Sequence, residues 1–97
     1  LLFNLAVPIA LATIAQMLEF AAQHGMTWIN PADASTGNQE DDVNRIGSYV
    51  GVMAQSKNAP PEVTPPAGDH ESGRRLGKRV AEMTQQFQRG SEALKAA

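Results

Sequence analysis

The sequence predicts an α/β chain with the order helix, strand, loop, helix. Three observations carry this. An apolar segment with helical spacing ends at Gly25. A short β-rich run, Met26-Thr27-Trp28-Ile29, follows at once. Beyond a long turn-rich stretch, a second helical stripe fills residues 69–90. A helix, a tight glycine turn and a strand make half of a βαβ unit.

Composition bounds the reading. A chain of 97 residues with 42% apolar content fits one small domain or a piece of a larger one. Cysteine is absent, which excludes a disulfide scaffold, a zinc ribbon and a thiol nucleophile. The net charge of −2 gives no general electrostatic footprint for nucleic acid. Charge is unevenly spread. Arg45 is the sole basic residue before position 57, whereas residues 57–97 are rich in Lys and Arg.

Residues 1–22 read LLFNLAVPIALATIAQMLEFAA. Asn4, Pro8, Gln16 and Glu19 interrupt them, against a membrane span, and no Lys or Arg precedes Arg45, against a secretory signal. Leu11, Ile14, Leu18 and Ala21 share one helical face. Proline suits a first helical turn, so a helix is expected from Pro8 to His24, with Gly25 as the residue that ends it. The opening at Leu1 suggests a fragment, with residues 1–10 an apolar leader of uncertain origin. A membrane-anchored module using residues 1–20 is a weaker alternative.

Residues 26–30 then read as one buried strand, closed by the turn signal Asn30-Pro31. Residues 31–41 have loop composition. Glu40, Asp41 and Asp42 suit a helix N-terminus, and a short helix is expected over 41–47. Pro60, Pro61, Pro65 and Pro66 imply an extended surface connector. Asp69 reads as the N-cap of the last helix. Leu76, Val80, Met83 and Phe87 form its apolar stripe. Gly73, Gly77 and Ala81 form a small-residue line that implies close packing. Gly90 ends the periodic part, and residues 91–97 are expected to fray.

Candidates for chemistry are few. His24 lies where a helix ends before a strand, at the amino end of a parallel sheet, away from the usual ligand side. A bond to the last helical carbonyls suits it better. His70 reads as an exposed residue near a cap. Metal ligation lacks HExxH, cysteine and a third histidine. No serine lies in GxSxG, and Gly47-Ser48-Tyr49 is too weak to name a nucleophile. No GxGxxG or GxxxxGK[ST] occurs. Arg74, Arg75, Lys78 and Arg79 read as a solvated helix face, paired with Glu71 and Glu82.

Longer segments add a resemblance. Gln23-His24-Gly25-Met26-Thr27-Trp28-Ile29 resembles the HGM-strand junction of flavodoxin-like NAD(P)H-dependent oxidoreductases, the FMN-binding quinone and FMN reductases. The run from Asn44-Arg45-Ile46-Gly47-Ser48-Tyr49 to Ser56 is similar to the loop after that family's last strand. Pro65-Pro66-Ala67-Gly68-Asp69, then Leu76-Gly77-Lys78-Arg79-Val80-Ala81, resembles its entry into the closing helix. Together they cover residues 11–90.

The resemblance implies the C-terminal part of a flavodoxin-like doubly wound parallel sheet, with strand order 2-1-3-4-5. It implies hydride transfer from NAD(P)H through FMN to a quinone or another acceptor, with the flavin supplying the chemistry. It also implies a homo-oligomer in the cytoplasm, without nucleic acid, metal or stable membrane insertion. The family histidine falls on His24, beside the flavin. This conflicts with its topological position unless a neighbouring subunit supplies the site. Tyr49, in the family's loop, is the second candidate flavin contact, against a core-packing role. No catalytic residue is assigned. The family's phosphate-holding Ser/Thr/Gly loop and its aromatic second loop have no counterpart in this sequence. The competing reading is a non-catalytic fragment or a small helical oligomerisation module.

Overall fold

The computed structural model describes the backbone of residues 2–97 and the side chains from residue 8 onward. Two helices frame the chain: α1, Leu2–Gln23, and α2, Ala67–Ala96. Between them runs a stretch of turns and extended segments, and the described residues contain no strand. This overturns the α/β expectation. There is neither a parallel sheet nor a strand at 26–30.

The reason lies in backbone pairing. A strand is stable only when a neighbour satisfies its N–H and C=O groups. Here Met26 N–H turns back to the Ala21 carbonyl at 2.9 Å. The extended path beyond it is held by side chains instead of a ladder. Trp28 Nε1 donates to the Val50 carbonyl at 2.7 Å, Asn30 Nδ2 to the Tyr49 carbonyl at 3.5 Å, and Arg79 Nε to the Asn30 carbonyl at 2.9 Å.

Helix α1 carries Pro8 inside it, so it starts before the expected point. Pro8 lacks the N–H that would reach the carbonyl one turn back. Ile14 and Leu18 are partly covered and Ala21 is buried, whereas Leu11, expected on the same face, is exposed. The helix ends as the sequence indicates. Gly25 takes φ 69°, its N–H bonds Ala22 O at 3.1 Å, and Met26 N–H bonds Ala21 O. These paired bonds are those of a Schellman terminator.

The short helix expected over 41–47 is a succession of turns. Asn44 sits at φ 48° and Gly47 at φ 80°, left-handed values that a helix cannot contain. The proline connector is also less extended than its composition suggests, because a turn closes from the Val63 N–H to the Pro60 carbonyl at 3.1 Å. Helix α2 passes through Gly90 and reaches Ala96. Gly73 and Gly77, expected to pack closely on a sheet, face nothing within 4 Å. Among the described residues, Ala21 and Val43 are buried, as are Pro31 and Pro66, and no large apolar side chain is.

Candidate functional site

The best-built part of the molecule surrounds the first turns of α2. Asp69 is not the N-cap. Pro66 occupies that position, and Asp69 lies inside the first turn. Its carboxylate, 2% exposed, forms a two-pronged pair with Arg45, whose Nε and Nη2 donate to Oδ1 and Oδ2 at 2.8 Å each. The backbone N–H of Gln55 donates to Oδ2 at 2.9 Å. One side chain therefore ties α2 to two points, 45 and 55, on the loop before it. Charge-assisted bidentate bonds are the strong, directional kind.

Two neighbours complete the latch. Ser72 Oγ donates to the Gly68 carbonyl at 2.7 Å and accepts the Asn44 N–H at 3.0 Å. Gly68 N–H donates to the Glu40 carbonyl at 2.8 Å. A β-carbon on Gly68 would overlap the Asp42 carbonyl oxygen, so a glycine is required there. Asp42 in turn orders its own turn, accepting the Thr36 hydroxyl at 3.0 Å and the Gln39 N–H at 2.9 Å.

The latch fixes the segment 44–56, which presents two residues of opposite character. Ser48 is buried at 1% exposure, and its hydroxyl has no partner among the described residues. Burial removes it from consideration as a nucleophile. Tyr49 stands 54% exposed, and its hydroxyl accepts the Ser35 N–H at 3.4 Å.

His24 lies at the end of α1, exposed. Its Nδ1 lies 2.9 Å from the Phe20 carbonyl and its ring 4.3 Å from the Phe20 ring. That is the helix-terminal arrangement its sequence position suggests. No hydrogen bond joins His24 to Tyr49 among the described residues.

The basic face of α2 is neutralised locally. Glu71 accepts from Arg74 at 2.6 and 2.8 Å and from Arg75 at 3.0 Å, while Arg75 also reaches Asp33 at 3.2 Å. Lys78 faces Glu82 at 3.9 Å. The two guanidiniums hold the Glu71 carboxyl at about 2, well below its ordinary value of 4.5. Glu71 in turn raises both arginines.

The described residues do not make a complete flavin site. Three of the opening N–H groups of α2, where a phosphate would be welcomed, are engaged. Gly68 donates to Glu40, and Asp69 and His70 both donate to Pro66. The Asp69 carboxylate also stands in that turn. The exposed ring of Tyr49, in the segment that the latch fixes, offers a surface on which a flavin could stack. No group of three or more His, Cys, Asp or Glu among the described residues could hold a metal ion. No described helix is long and apolar enough to cross a membrane.

Sequence reading missed Arg45 and Ser72, and gave Asp69 the N-cap position that Pro66 holds. An aspartate three residues after Pro-Pro signals a helix start. Nothing local signals an arginine 24 positions earlier.

Comparison with known proteins adds one relationship. Flavodoxin FldP of Pseudomonas aeruginosa (strain UCBPP-PA14) is 34% identical over 75 residues, which is 73% of this chain and 40% of the relative. The chain thus spans about two-fifths of that protein's length. No protein-family model matches the chain. No solved structure matches it significantly. The resemblance to the NAD(P)H-dependent quinone reductases is accordingly narrowed, and what the comparison supports is a flavodoxin-like relationship alone.

Proposed function

We propose that the chain serves as the loop and closing-helix portion of a flavin-dependent redox protein. The observation that supports this most is the 34% identity to a flavodoxin across 75 residues. In this reading FMN is held mainly by residues outside the chain, because the start of α2 is already occupied by Glu40 and Pro66 carbonyls. Segment 44–56, fixed by Asp69, offers the Tyr49 ring to the flavin. His24 is a second contact, reached across a subunit boundary. Bound FMN would supply the electron transfer. The chain's own groups would shape and cover its edge.

The finer reading is hydride transfer from NAD(P)H to a quinone-type acceptor. The test uses the longest cellular protein that contains this sequence. Its visible spectrum and FMN content are measured first, then its reduction by NADPH in the presence of a quinone. Bound FMN with no NADPH oxidation would keep the flavin reading and remove the hydride-transfer one. A colourless protein that neither binds nor reduces added FMN would end both. Tyr49→Ala should weaken FMN binding roughly three- to tenfold, the worth of one aromatic contact.

A further inference from the structure

Ion pairing along the basic face of α2 is incomplete. Glu71 takes up Arg74 with two bonds and shares Arg75 with Asp33. The next two cations are less well served. Lys78 Nζ lies 3.9 Å from Glu82, beyond hydrogen-bond reach. Arg79 forms no ion pair among the described residues. Its Nε donates to the neutral Asn30 carbonyl at 2.9 Å, and its two terminal nitrogens have no partner there. An open recess of about 430 Å³ lies between these side chains and the loop, lined by Ala32, Asp33, Arg75, Lys78, Arg79 and Glu82 among others.

We propose that this recess binds a phosphate group, held by Lys78 and the unbonded edge of Arg79, with Arg75 as the third cation.

The donors suit that ligand. A planar guanidinium presents N–H groups that match phosphate oxygens, and an ammonium adds a compact charge. Both arginines are already oriented. Arg79 is tied to the loop through Nε, and Arg75 is spread between Glu71 and Asp33 through Nε and Nη1. Side chains held in place lose less freedom when a ligand arrives. The charge pattern also favours a compact anion. Arg74, Arg75, Lys78 and Arg79 stand against Asp33, Glu71 and Glu82, which leaves an excess of one positive charge. So small an excess gives a short-ranged field in physiological salt. A long acidic partner or a nucleic acid would bring its further charges against Glu71 and Glu82. A single phosphate meets the cations alone. Lys78 lies on the side of α2 away from Val80 and Met83, so burial of the apolar stripe does not by itself close the recess. The inference does not depend on the flavin reading.

The test titrates inorganic phosphate into the longest cellular protein that contains this sequence, labelled with nitrogen-15. Ionic strength is held constant with chloride. Saturable shifts of the amide and guanidinium signals of residues 75–79 are expected. Lys78→Gln and Arg79→Gln should each weaken binding about three- to tenfold. Lys78 is 69% exposed and makes no hydrogen bond, so its replacement leaves the fold intact. Glu82→Gln removes a competing carboxylate and should tighten binding about twofold. Arg89→Gln removes the same charge farther along α2 and should change it by less than about twofold. Adenosine monophosphate in place of phosphate identifies the source. Tighter binding assigns the recess to a phosphate carried on a larger molecule, equal binding to phosphate itself, and both sustain the proposal. Absence of saturable shifts at residues 75–79 overturns it. So does a loss from Arg89→Gln as large as that from Lys78→Gln, which would mark diffuse attraction instead of a site.

Discussion

The two halves of α2 obey different rules. In the first ten residues, the buried groups are polar and small, namely Gly68, Asp69 and Ser72. They are fixed by bonds that reach back to residues 40, 44, 45 and 55. From Val80 onward the helix has a better apolar stripe and yet almost no contact. Apolar periodicity alone does not anchor a helix, because it needs a complementary surface. A few directional polar bonds to one loop achieve what the stripe, lacking such a surface among the described residues, does not.

The largest effect that can break this contrast is at Asp69. Asp69→Ala leaves the Arg45 guanidinium, 12% exposed, without its counter-charge, and frees the Gln55 N–H. Removing one partner of a buried pair costs about 3–5 kcal/mol. Amide exchange over 44–56 should lose its protection, and helix melting should shift down. Unchanged exchange there would show that the latch does not hold the loop.

A sharper comparison puts one substitution in two places. Gly68→Ala drives a β-carbon into the Asp42 carbonyl and should destabilise by about 1–3 kcal/mol. Gly77→Ala, nine residues along the same helix, meets open space and should stabilise by about 1 kcal/mol. Thermal unfolding followed by helix ellipticity reads both signs. The same sign at both positions would erase the distinction between the latched start of α2 and its open positions.

The smallest effect concerns pH. The carboxyl of Glu71 is lowered from 4.5 to about 2 in the folded chain. A depressed carboxyl stabilises the fold above its unfolded value and loses that contribution as pH falls. The window is therefore from about 4.5 down to about 2. Because the pair is exposed, the effect is modest and shrinks with added salt. Comparing melting of the native chain and Glu71→Gln through this window isolates it. Parallel curves would assign the pH response to other carboxylates.

Parts of this architecture are legible in the sequence for physical reasons. The covered face at Ile14, Leu18 and Ala21 follows from helical periodicity. Gly25 ends α1 because only glycine enters the left-handed region without strain. The Glu71 pairs follow from three- and four-residue spacing. The strand at 26–30 was misread because β-rich composition states a preference that only a neighbouring strand can satisfy. The turns at 41–47 were misread because Val43 and Ile46 have helical spacing, while Asn44 and Gly47 hold left-handed angles. At the candidate site, Tyr49 is a candidate only through its surrounding motif, and His24 has the helix-terminal place that its position gives it.

By itself the sequence determined where two helices lie, what stops the first, and which residues stripe the second. These depend on contacts within a few positions along the chain. Only the tertiary structure decided that Asp69 pairs with Arg45, that Ser72 secures Asn44, and that Gly68 cannot carry a side chain. Those depend on separations of more than 20 residues, where the closing of a loop, and not local preference, brings the groups together.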